Sequence, residues 1–81
     1  MMKQIKILYF GQLRQARGLA EETVNTPAET LAELFTLQSA SHGLTLASRH
    51  LKMARNDEFC PPAEALCDGD TVAFLPPVCG G

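Results

Sequence analysis

Asp68-Gly69-Asp70-Thr71-Val72-Ala73-Phe74-Leu75-Pro76-Pro77-Val78-Cys79-Gly80-Gly81 closes the chain. Asp68-Gly69-Asp70 reads as a turn, because Asp bonds its own backbone and Gly adopts positive φ without a steric cost. Thr71 to Leu75 is then a strand, with Val72 and Phe74 on one side and Ala73 and Leu75 on the other. Pro76-Pro77 stops ladder pairing and favours an extended path without internal hydrogen bonds. Gly80 and Gly81 have no side chain to obstruct a narrow channel, and their backbone bends freely. Residues 76–81, extended at roughly 3.3–3.6 Å each, reach about 20 Å from the sheet. The expected organisation is a folded domain at residues 1–75 and a flexible extended tail at 76–81. Such a tail can deliver its terminal carboxylate into another protein's pocket. A carboxylate is a poor electrophile, so using it requires activation by a partner, most simply as an acyl-adenylate.

Upstream, Leu51 to Arg55 reads as a strand that turns at Asn56-Asp57. Glu58-Phe59-Cys60 resumes pairing before Pro61-Pro62 ends it. Leu44 to His50 is ambiguous between a short helix and a loop. Thr26-Pro27-Ala28-Glu29 has the form of a capping box, with Pro27 at the first helical position. The helix that follows carries Ala28, Leu31, Leu34 and Phe35 on one face, with Leu37 near its border, and Gly43 stops it. At the N-terminus Ile5, Ile7 and Tyr9 alternate with Lys6, Leu8 and Phe10, which predicts a strand over residues 3 to 10. Gln12 to Ala16 suits a short helical turn ended at Gly18, and Glu21 to Asn25 suits a second, antiparallel strand. A single main helix with four to five strands makes a two-layer α+β domain. One helix covers one sheet face, leaving Leu8, Phe10, Phe59, Ala73 and Leu75 as candidates for an open face.

Composition narrows the functions available. The chain has 81 residues, 46% of them hydrophobic and 20% charged, with a net charge of -2. That is one globular domain, too apolar for disorder. A domain of this size buries only about 60% of the surface its unfolded chain exposes. A large enclosed active-site cavity is not expected, so any chemistry should sit at an edge or a terminus. The seven Lys and Arg residues are dispersed, which argues against nucleic-acid binding. No apolar stretch reaches the roughly 18 residues needed to cross a bilayer. Charges interrupt the N-terminal apolar run, so it does not read as a signal peptide. Cys60, Cys67 and Cys79 fit no zinc spacing and read as reduced thiols of a cytoplasmic protein, Cys60 and Cys67 as packing residues. No metal site is expected. Glu21, Glu22, Asp68 and Asp70 read as solvated strand and turn residues, and His42 and His50 as solvent or packing residues.

The ending from Asp68 to Gly81 resembles that of the small subunit of molybdopterin synthase. Ile5-Lys6-Ile7-Leu8-Tyr9-Phe10-Gly11-Gln12-Leu13-Arg14 is similar to that family's opening strand and turn, and Asn56 falls where the family often has Asn. The resemblance covers the whole chain. It implies a ubiquitin-like β-grasp fold. It also implies that Gly81 is the working residue, adenylated and then converted to a thiocarboxylate that donates sulfur to a pyranopterin precursor. Two sulfurs make the dithiolene of molybdopterin, so two charged carriers are consumed per product. Pro76, Pro77, Val78, Cys79 and Gly80 would thread the passage, and Phe10, Phe59 and Leu75 would form the docking patch. The implied partners are a molybdopterin synthase large subunit in a heterotetramer (two large, two small), a ubiquitin-activating-type adenylating enzyme and a sulfur donor protein. This chain would bind no cofactor and lack a complete active site; ATP would be used by the activating partner. Cys79 departs from the family's usual Ser or Thr. The competing expectations are a carrier for another pathway such as thiamine thiazole synthesis, a lysine-conjugating modifier, and a ubiquitin-like interaction domain with an idle tail.

Overall fold

Alternating apolar residues place β1 at Lys3–Tyr9, with Ile5, Ile7 and Tyr9 buried on one face. Gly11 takes φ +55° and turns the chain into α1, Gly11–Arg17, which Gly18 ends at φ 84°. β2, Glu21–Thr26, returns antiparallel to β1. The main helix, α2, spans Leu31–His42. β3 at Lys52–Arg55 and β4 at Glu58–Cys60 form a hairpin, and β5 at Thr71–Leu75 completes the sheet. This computed structural model describes residues 2–44 and 51–76. The expectations for residues 45–50 and for Pro77, Val78, Cys79, Gly80 and Gly81 lie outside the described residues.

The five strands run in the order β2-β1-β5-β3-β4. β1 and β5 pair in parallel at the centre, while β1–β2, β3–β5 and β3–β4 are antiparallel. The expected mixed sheet on one main helix is therefore present. Leu31, Leu34 and Phe35 of α2 fill the core against Ile5, Ile7, Met53, Val72 and Phe74. Phe35 meets Phe74 edge-on, with ring centroids 5.1 Å apart. Asn56 and Asp57 have φ 53° and 71°, the two positive values that a two-residue hairpin turn between twisted strands requires. Asn and Asp tolerate that region better than other non-glycine residues.

The helix begins later than the sequence suggests. Thr26 is the last residue of β2, paired with Lys3, and its hydroxyl accepts from Ala28 N–H at 3.2 Å. The cap is Thr30, whose Oγ1 accepts from Glu33 N–H at 3.1 Å, while Glu33 Oε1 accepts from Glu29 N–H at 2.9 Å. Both Thr26 and Thr30 carry Thr and Glu at capping-box spacing, so tertiary partners decide between them. Sheet pairing retains Thr26. The Glu64 and Pro62 carbonyls accept from Leu31 and Ala32 N–H at 3.2 and 2.8 Å. These are the first helical donors, which have no partner within the helix. At the other end Gly43, φ 68°, closes α2 as expected and donates its N–H to Ser39.

Candidate functional site

The face of the sheet away from α2 carries an apolar row. Leu8 pairs with Ala73, Ala73 with Ala54, and Ala54 with Phe59, so one row crosses four strands. Directly paired residues share a face. Phe59 is 71% exposed and Phe10 is 45% exposed, while Leu8, Ala73 and Leu75 are half-buried. Among the described residues, nothing in this chain covers Phe59. Burying an aromatic ring is favourable, so two exposed Phe rings beside one apolar row mark a surface that a partner can cover. Lys52 places its ammonium 5.9 Å from the Phe59 ring centre, and Lys6 pairs with Glu21 at 3.2 Å, giving the patch a charged border.

Parallel pairing decides where this patch lies relative to the chain end. β1 and β5 run the same way, with Tyr9 opposite Phe74. Phe10 and Leu75 therefore leave the sheet at the same end of these two adjacent inner strands. The next residues, Gly11 and Pro76, approach closely: a Cβ on Gly11 would lie 3.1 Å from Pro76 Cγ. Phe10, Leu75 and Pro76 are thus brought together at one corner. Phe59 lies at the other end of the row, on the edge strand β4. The remaining predicted tail residues, Pro77 to Gly81, fall outside the described residues.

A polar cluster braces this corner from the helix side, and the sequence reading missed it. Arg17 grips Glu22 through two bonds, Nε to Oε2 at 2.9 Å and Nη2 to Oε1 at 2.8 Å. Tyr9 Oη donates to Glu22 Oε2 at 2.7 Å, and Gln38 Nε2 donates to both Tyr9 Oη and Glu22. The cluster joins α1, β1, β2 and α2. Hydrogen bonds from Arg17 chiefly hold the Glu22 carboxyl below its ordinary range, against the opposing effect of burial. Burial first, and then the bond to Glu22, push the Tyr9 hydroxyl up to about 12. Alternation with Val24 and Thr26 puts Glu22 on the core side of β2, and that period, with Arg17 five residues earlier, was the available signal.

Two acidic residues correct the expectation of solvated side chains. Glu22 is the hub just described. Asp70 is buried, accepting from Cys67 N–H at 2.8 Å and from Asn56 Nδ2 at 3.0 Å. Asn56 in turn accepts from Thr71 N–H at 2.9 Å, which fastens the β3–β4 turn to the start of β5. Glu21 and Asp68 are exposed as expected. Burial, aided by Glu64, pushes the Cys60 thiol up, which disfavours a reactive thiolate and suits a packing role. Among the described residues no group of three or more His, Cys, Asp or Glu could hold a metal ion, and no helix is long and apolar enough to cross a membrane.

These features match known proteins. A curated molybdopterin synthase sulfur carrier subunit from Chlamydomonas reinhardtii is 38% identical, covering 96% of this chain and 99% of that one. A complex of subunits 1 and 2 of molybdopterin-converting factor from Helicobacter pylori contains a chain 32% identical with TM-score 0.63, covering 100% of both chains. The crystal structure of SAMP1 from Haloferax volcanii superposes with TM-score 0.78 at 23% identity, covering 96% of this chain and 99% of that one. The last supports the fold alone, a ubiquitin-like β-grasp. The ThiS family model matches residues 7–81, from the middle of β1 through Gly81, and the chain belongs to the ThiS family.

Proposed function

We propose that this chain is the sulfur carrier subunit of a molybdopterin synthase. The carrying observation is the parallel β1–β5 pairing, which sets Phe10 and the Leu75–Pro76 root of the tail at one corner of an open apolar face. The curated relatives are molybdopterin synthase sulfur carrier subunits, and that role fits this geometry. Phe10, Phe59 and Leu75 dock the partner, and residues 76–81 form an arm distinct from the folded domain. Pro76, Pro77, Val78, Cys79 and Gly80 lead Gly81 into the partner's site.

The carboxyl group of Gly81 attacks the α-phosphate of ATP held by a ubiquitin-activating-type enzyme, releasing pyrophosphate. A sulfur nucleophile at the sulfide oxidation level then expels AMP and leaves a thiocarboxylate. In the large subunit this sulfur attacks a side-chain carbon of the pyranopterin precursor, and the oxygen substituent on that carbon leaves. Water cleaves the resulting acyl–sulfur bond, leaving sulfur on the product and restoring the Gly81 carboxylate. Two such transfers make one dithiolene, which suits an assembly of two large and two small subunits. The chain itself binds no cofactor and contributes no complete active site. Tethering converts an encounter into an intramolecular step, which can lower a barrier by up to about 7–11 kcal/mol when well oriented.

Intact mass after incubation with ATP, the adenylating enzyme and a sulfur source tests the reading. The expected result is a gain equal to replacing one oxygen by sulfur, absent when Gly81 is deleted. Binding of the charged form to a molybdopterin synthase large subunit then separates this reading from a carrier for thiamine thiazole synthesis. An unchanged mass beside a control carrier that charges would favour the interaction-domain reading.

A further inference from the structure

We propose that Gly11 is a positioning residue for sulfur transfer: it is the seat on which Pro76 rests, and the seat sets the direction in which the tail leaves the sheet. This inference rests on the sulfur-carrier reading.

Three constraints meet at the tail root. The Pro76 ring fixes its own φ near −65°. It also holds Leu75, the residue before it, in extended conformation. Both act through the chain from Leu75, which pairing with Lys52 holds in the sheet, and neither orients the ring against a neighbouring element. The third constraint comes from across the sheet. Gly11 stands at φ +55°, and a Cβ there would lie 3.1 Å from Pro76 Cγ and 3.9 Å from Cδ. That spacing is tighter than an ordinary carbon contact. Only a residue without a side chain lets the ring settle this close to the backbone.

The seat is itself held at both ends. On one side Gly11 follows Phe10, whose carbonyl accepts from Leu13 N–H at 3.1 Å. Leu13 is buried in the core, and the Arg17–Glu22 pair ties the far end of α1 to β2. A side chain at Gly11 would therefore displace Pro76 rather than α1. Gly18, at the other end of the same helix, supplies an internal control. Its φ is +84°, and a Cβ there meets nothing within 4 Å. Alanine at either glycine strains the backbone, but only alanine at Gly11 touches the tail root.

The test measures single-turnover sulfur transfer from thiocarboxylated full-length chains, made by sulfide cleavage of intein fusions, to the large subunit with its pterin substrate. Gly11→Ala should slow the first-order step at saturating large subunit by up to about 10-fold, since the ring must give by a few tenths of an ångström and a full 1 Å misplacement costs about 100-fold. Gly18→Ala should transfer within about twofold of wild type while losing comparable thermal stability. Pro76→Ala, which removes the contacted ring atoms, should also be slow. Gly11→Ala with Pro76→Ala should match the single Pro76→Ala rate, since both act on one contact. Equal rates for Gly11→Ala and Gly18→Ala would overturn the inference, as would multiplying losses in the double variant. Should Gly11→Ala fail to fold, a wild-type rate for Pro76→Ala overturns it. Failure of the wild-type thiocarboxylate itself to transfer removes the carrier reading and this inference with it.

Discussion

The two faces of the sheet use the same strands and differ in what they leave unfinished. On the α2 side Ile5, Ile7, Val72 and Phe74 are fully buried. The polar cluster there around Glu22 satisfies its own hydrogen bonds. On the other side the row Leu8, Ala73, Ala54 and Phe59 ends in an aromatic ring that is 71% exposed. The covered face spends its apolar surface on folding. The open face keeps apolar surface available for association, and it is continuous with the root of the tail. Under the proposed function, stability and partner binding fall to alternate residues of the same strands, so they should be separable by mutation.

The largest effect that would sharpen this contrast is Phe74→Ala. It should destabilise the domain by about 3–5 kcal/mol, measured by denaturant unfolding, because the neighbouring Phe35 and Tyr9 rings collapse only partly into the cavity. Glu22→Gln comes next, at about 1–3 kcal/mol, since it leaves Arg17 without its carboxylate partner. The native Glu22 value is depressed, so its stabilisation is complete above the ordinary value of 4.5 and is lost as pH falls through the native one. Stability measured against pH should therefore have an acid limb that Glu22→Gln flattens. The Tyr9 contribution runs the other way: full below 10.0, it is lost as pH rises to about 12.

On the open face, Phe59→Ala should change folding stability by no more than about 0.5 kcal/mol. The same change should weaken binding to the large subunit by more than about 1 kcal/mol, read by titration calorimetry. A large loss of stability with unchanged affinity would break the comparison between the faces. The smallest loss of stability expected on the covered face concerns the helix start. Thr30→Ala should cost about 1 kcal/mol, and Glu33→Ala should remove the reciprocal bond with Glu29. Thermal unfolding of the two single variants and the double variant would show whether the bonds act as one box.

Much of this was legible in the chain. Period-two alternation placed Ile5, Ile7 and Tyr9 opposite Leu8 and Phe10, and Val72 and Phe74 opposite Ala73 and Leu75. Asn56-Asp57 and Gly43 marked their turns because so few residues tolerate positive φ. Pattern alone left Phe10, Phe59 and Leu75 between core and open face, and the family resemblance turned the reading toward the open face. The cap was misplaced because Thr26 and Thr30 offer equivalent local chemistry. The Arg17–Glu22–Tyr9–Gln38 cluster was missed because its members come from four elements, and pattern reading scores each element alone.

The sequence by itself determined the element types and the apolar side of each strand, since these follow from local sterics and side-chain periodicity. Tertiary structure decided three other things. It chose Thr30 over Thr26 by offering the Pro62 and Glu64 carbonyls to the first helical donors. It gathered Glu22's partners. It also set Gly11 beneath Pro76, residues at opposite ends of the chain that meet because β1 and β5 pair in parallel. Contacts of this kind depend on strand order, and strand order is fixed by burying the whole set of apolar faces at once rather than by any single segment.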